Sequence, residues 1–146
     1  MKVDRLSRAS IVEYLAVECD LDLQEFCTRL QTALRLPKFH FDGENLTEWG
    51  LVEVGYIEYN VSRPYESGLL QKLDKTVPPR CNFSISLIVY REHPHAGDQQ
   101  WLFVNLVTPI GQSIADKFEF DVHYHRTWLG VSQNVERKVV FRPNAA

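Results

Sequence analysis

Residues 21–36 read LDLQEFCTRLQTALRL, and the change of period at their end decides the fold. Asp22 is placed to cap a helix, Glu25 three residues on completes a capping box, and Leu21 can pack on Phe26 as a hydrophobic staple. Leu23, Phe26, Cys27, Leu30 and Leu34 then recur at three- and four-residue spacing, the stripe of an amphipathic helix laid on a core, and Pro37 ends it. Beyond Pro37 the period switches to two. KFHF, WGLVEV, GYIEYNVS, CNFSISLIVYRE and QQWLFVNLV all carry strand chemistry between polar or Gly/Pro turns.

Upstream, SIVEYLAVE at 10–18 is rich in β-branched and aromatic residues and reads as a strand, its alanine and glutamates leaving a helical start as the alternative. Downstream, residues 65–76, YESGLLQKLDKT, suggest a short helix before Pro78-Pro79. Thr108-Pro109 supply an N-cap and an N1 proline for a second main helix running to about Phe118, with Ile110 and Ile114 inward. FDVHYHRTWL returns to a strand, and VERKVVF offers a last one. Gly55 is either a hairpin tip or a bulge. The order β-α-β-β-β-β-β-α-β, with that final strand, predicts an α+β fold: a mostly antiparallel sheet with two main helices on one face.

A chain of 146 residues with 45% hydrophobic and 24% charged residues suits a single folded domain over 1–146, residues 143–146 forming a frayed tail. No apolar run approaches the ~18 residues of a membrane span and no signal peptide can be drawn, so the reading is soluble and cytoplasmic. Cys19, Cys27 and Cys81 are odd in number and lack metal-ligand spacing, which predicts buried free thiols. The net charge of -3 disfavours direct nucleic-acid binding. It is unevenly placed: residues 1–66 hold twelve acids and seven bases, residues 67–146 seven and nine.

Residues 39–49, FHFDGENLTEW, open a base-free stretch with Asp42, Glu44, Glu48, Glu53 and Glu58. Its spacing fails the calcium-loop pattern, since Gly43 comes second and Leu46 occupies the fifth position. Paired hydrolase carboxylates would need a cleft that no pattern here indicates. A patch of these acids favours a cationic partner; acids alternating along the wet face of a strand are the plainer alternative. Arg63 and Tyr65, in NVSRPY, are residue types enriched at binding hot spots, although Arg63 also suits an ion pair with Glu58 or Glu66.

His123 and His125 stand two apart in DVHYHR, so a strand points both imidazoles to one face, a geometry that metal sites use and that any polar outer face also produces. His93, His95 and Asp98 could supply further ligands. A small metal-dependent hydrolase built on His123 and His125 is therefore the alternative function, and an oligomeric structural or adaptor domain a second. No nucleophile elbow, dinucleotide fingerprint or phosphate loop occurs, and no cofactor is expected.

The run L-P-x-F-x-F-D-x-E-N-x-x-E-W, after a leading strand and capped helix and before a strand ending N-x-S-R-P-Y, resembles small cytosolic bacterial immunity proteins of polymorphic or contact-dependent toxin systems. The likeness covers residues 10–66, with an echo at Pro79-Arg80-Cys81-Asn82. It implies a compact, non-enzymatic α+β protein that binds a cognate toxin domain, a basic nuclease among the candidates, and covers its active site. Asp42, Glu44, Glu48, Glu53 and Glu58 would steer the partner, while aromatics such as Trp49, Tyr56, Tyr59 or Tyr65 hold it, with Arg63 as a further contact residue. The oligomeric state is left open.

Overall fold

A computed structural model describes residues 8–66, 68–129 and 133–144. Residues 1–7, in the segment where no signal peptide is drawn, and residues 145–146 of the expected tail lie outside them.

The protein is α+β, with seven strands in one antiparallel sheet of order β2-β3-β4-β5-β1-β6-β7. In chain order these are β1 (Ala9–Val17), β2 (His40–Gly43), β3 (Thr47–Val54), β4 (Ile57–Pro64), β5 (Phe83–Tyr90), β6 (Val122–Leu129) and β7 (Asn134–Phe141). The helices are α1 (Leu23–Leu34), α2 (Leu69–Leu73), α3 (Gln99–Leu102) and α4 (Thr108–Phe118).

Alternation along β1 explains the layers. Ile11, Glu13, Leu15 and Val17 are buried, and their β5 register partners Val89, Leu87, Ile85 and Phe83 are buried with them. This is the face that α1 and α4 cover: Phe26 stacks on Phe83 from above at 4.5 Å and on Phe118 at 5.0 Å, tying both helices to the sheet centre. The opposite face carries Tyr14 and Ala16 of β1, Ser84 and Ser86 of β5, Asn60 and Ser62 of β4. No described helix is long and apolar enough to cross a membrane.

Of the expected capping box around α1 only the Asp22 half forms. Asp22 accepts the Glu25 N–H at 2.8 Å, while the Glu25 carboxylate turns instead to Arg29 one turn on, at 3.1 Å. Arg35, in the left-handed region at φ 55°, closes the helix by donating its N–H to the Gln31 carbonyl. Gly55 is a hairpin tip: Gly55 and Tyr56, at φ 62° and 63°, form the two-residue turn between Val54 and Ile57, the positive-φ pair that matches strand twist.

One segment departs from its expected strand. Residues 99–107 are helical, α3 leading into a π-helical turn (Phe103–Val107) that continues as α4. Asp98 caps the start by accepting the Trp101 N–H at 3.0 Å. Leu102, Leu106, Val107 and Ile110 are buried on one helical stripe that extends the stripe of α4 backwards. Thr108 is thus a mid-helix residue rather than an N-cap: its N–H reaches the Phe103 carbonyl, five residues back. That wider turn precedes Pro109, which lacks an N–H and would crowd the carbonyl of residue 105 in a regular α-helix. At the other end of α4, Asn144 of the expected frayed tail is held to Asp116 by bonds of 2.8 and 3.2 Å.

Candidate functional site

The two wings of the sheet carry the candidate residues, and the registers decide which of them meet. On the β2–β3–β4 wing, Asp42 faces Trp49 and Trp49 faces Ser62, all on the face opposite α1. Asp42 accepts the Gly43 N–H, and Glu44 closes the turn by donating its N–H to the Thr47 carbonyl at 2.8 Å. Tyr65 donates its N–H to the Leu46 carbonyl at 3.0 Å, and its phenol oxygen lies against Gly43. Tyr65 and Leu46 are 60% and 62% exposed, and Phe41 is also exposed. Among the described residues Asp42, Glu44 and Glu48 enter no ion pair, unlike Glu53, Glu66 and Glu136.

The five acids do not form one patch. Glu48 points to the helix-covered face, opposite Arg63. Arg63 turns inward, its guanidinium 5.5 Å from the Phe83 ring and hydrogen-bonded to the Leu21 carbonyl at 3.4 Å, with no ion pair to Glu58 or Glu66. Glu53 and Glu58 face each other at the far end of the hairpin, about 17 Å along the strand from Glu48. Glu53 lies 3.9 Å from Arg8. Glu58 is 1% exposed and accepts the Tyr90 hydroxyl at 3.0 Å. Burial first, then that bond and the charge of Glu58, push the Tyr90 phenol up to about 12. Asp42, Glu44, Trp49 and Tyr65 therefore gather round the turn, while Glu58 is an interior group.

The β6–β7 wing is built differently. β1 pairs with β5 along its length but with β6 over three residues, Leu15–Val17 against Tyr124 to Val122, and the strands then part. Arg126 spans the opening to pair with Glu13, which is 2% exposed and also accepts the Tyr124 hydroxyl at 2.5 Å. Burial, then the Glu13 hydrogen bond and charge, raise the Tyr124 phenol. Arg137, the register partner of Arg126, lies 4.1 Å from the Phe103 ring in the π turn and donates to Gln100 at 3.1 Å. Glu13 escaped the sequence reading as a site residue, although the parity of Ile11, Glu13, Leu15 and Val17 places it on the core face.

On the opposite face of this wing, His123 and His125 point the same way, beside Val140 and Lys138 of β7. His125 lies 3.4 Å from Glu136. Burial lowers the His123 pKa, the charge of Asp121 opposing it. The two histidines line a cavity of about 180 Å³ roofed by Leu70, Leu73, Val77 and Pro78, the strap that carries α2 across the sheet. No group of three His, Cys, Asp or Glu side chains able to hold a metal ion occurs among the described residues. His93, Asp98 and His95 lie in the α3 loop, where His95 stacks on Trp101 at 3.6 Å and Asp98 serves as a cap. All three cysteines are free and buried, and burial raises each thiol, Cys27 to about 12 and Cys81 to about 11. Neither a family model, nor a curated protein, nor a solved structure matches the chain.

Proposed function

We propose that this is a non-enzymatic cytoplasmic binding protein, an immunity protein that neutralises a cognate bacterial toxin by covering its toxic domain. The observation that carries this reading is the β2–β3 turn. There Asp42 and Glu44, with Glu48 on the helix-side face of the adjoining strand, stand without ion-pair partners among the described residues beside exposed Leu46 and Tyr65. Unpaired carboxylates steer a basic partner, such as a nuclease domain, and raise its association rate. The apolar side chains between them supply area that is desolvated on contact and slows dissociation. Glu53 contributes at most to the outer field, and Glu58, interior, belongs to the scaffold.

The test is to identify what the adjacent gene encodes and to measure binding and growth protection against any toxic domain it carries. We expect a stoichiometric complex and rescue of cells expressing that domain. The double reversal Glu44→Lys with Glu48→Lys slows association about tenfold at low salt and little at 1 M, where screening shortens to ~3 Å. Tyr65→Ala speeds dissociation instead. Absence of both complex and rescue, or a mutant on-rate equal to wild type at every salt concentration, overturns the reading.

A further inference from the structure

The cavity under the strap lies on the wing away from the acidic turn, and the proposed partner contact makes no use of it. Its roof, Leu70, Leu73, Val77 and Pro78, is apolar. Its floor is polar and ordered by register: Tyr14 and Ala16 of β1, then His125 and His123 of β6, then Lys138 and Val140 of β7, with Ser84 beside Ala16. Among the described residues the side chains of Tyr14, Ser84, His123 and Lys138 make no hydrogen bond or ion pair. Each can donate, and the Lys138 ammonium does nothing else. The lining carboxylate, Asp74, is already occupied, accepting the Thr76 N–H and hydroxyl at 2.9 and 2.6 Å. His125 has Glu136 beside it.

A chamber with unclaimed donors on one wall and aliphatic side chains on the other fits a small amphipathic anion. A volume of about 180 Å³ exceeds the roughly 150 Å³ in which a cavity takes up benzene, leaving room for a ring and one acidic group. We propose that this cavity is a binding site for a small aromatic or branched aliphatic carboxylate. Its head is held by Lys138 and His123 with the Tyr14 and Ser84 hydroxyls, and its body lies against Leu70, Leu73 and Val77.

Benzoate and its uncharged isostere benzamide, titrated against the ¹⁵N-labelled protein, provide the test. Benzoate shifts the amides of residues 70–77, 123–125 and 138–140 saturably in the millimolar range, and benzamide binds several-fold more weakly. Lys138→Met weakens benzoate roughly tenfold, as loss of one charge-assisted hydrogen bond requires, and leaves benzamide unchanged. Leu70→Trp, which fills the chamber, abolishes both; Leu73→Ala, at a 74% exposed position that tolerates change, weakens both by removing roof. The proposal is overturned if benzoate produces no saturable shifts or shifts amides elsewhere. It is equally overturned if benzamide binds as well as benzoate, or if Lys138→Met leaves benzoate affinity unchanged.

Discussion

The two wings of one sheet share the same strand alternation and differ in what lies over them. On the β2–β3–β4 wing the face away from α1 is open around the β2–β3 turn, and all four residues of the edge strand β2 are exposed. On the β6–β7 wing the strap crosses that same face and encloses a chamber, while α3, the π turn and α4 close the other side. The charges follow. Acids at the β2–β3 turn stay unpaired among the described residues, whereas on the helix-covered side of the other wing Arg126 meets buried Glu13 and Arg137 meets Gln100. A charge left in water is available to a partner; a charge taken under cover becomes part of the scaffold.

The largest expected effect separates these roles at the covered wing. Arg126→Met leaves Glu13 buried without its cation and destabilises the protein by about 3–5 kcal/mol, and Glu13→Leu with Arg126→Met together recovers most of it. Urea unfolding of the double-mutant cycle checks this, and additive losses would break the distinction. Next comes Gly111→Ala, because a Cβ there would sit 2.4 Å from the Phe141 ring, where β7 packs under α4. Overpacking of this kind costs ~1–3 kcal/mol, measured by the same method.

A smaller effect concerns pH. His123 titrates near 6.5 when unfolded and lower when folded, chiefly because burial disfavours the imidazolium. Protons therefore bind the unfolded chain more readily. The contribution of His123 to stability is whole above the unfolded value and is lost as pH falls through the folded one. His123→Gln should flatten the decline in stability between pH 7 and 5, and identical slopes for the two proteins would remove His123 as its source. Smallest is the reversal Glu44→Lys with Glu48→Lys, expected to move stability by no more than about 0.5 kcal/mol while changing association. A large loss on urea unfolding would make the acidic turn scaffold as well.

The α+β class was legible because Asp22, the stripe from Leu23 to Leu34 and the alternation of Asn82 to Leu87 are local signals, each satisfied within a few residues. Residues 99–107 read as a strand for a related reason. QQWLFVNLV is apolar enough for a strand, and its helical stripe shows once joined to Ile110 and Ile114 beyond a proline that a π turn accommodates. At the acidic stretch, composition revealed five carboxylates without a base. It did not reveal that Glu48 faces the helix side, or that Glu58, on the strand face it shares with Asn60 and Ser62, is buried beside Tyr90, because facing and burial depend on the register of β3 against β4 and of β4 against β5. The strap cavity had no sequence signal beyond the His-x-His spacing.

By itself the sequence determined the elements whose stabilisation is local: a capped helix, alternating strands and three thiols without ligand spacing. Tertiary structure decided which carboxylates stand in water, where Arg126 finds Glu13 across 113 positions of chain, and that residues 70–78 roof a floor drawn from β1, β5, β6 and β7. Caps, stripes and turns are set by bonds spanning a few residues, so their causes are written side by side. Burial and charge pairing are set by which distant strands become neighbours, and no window of sequence contains both partners.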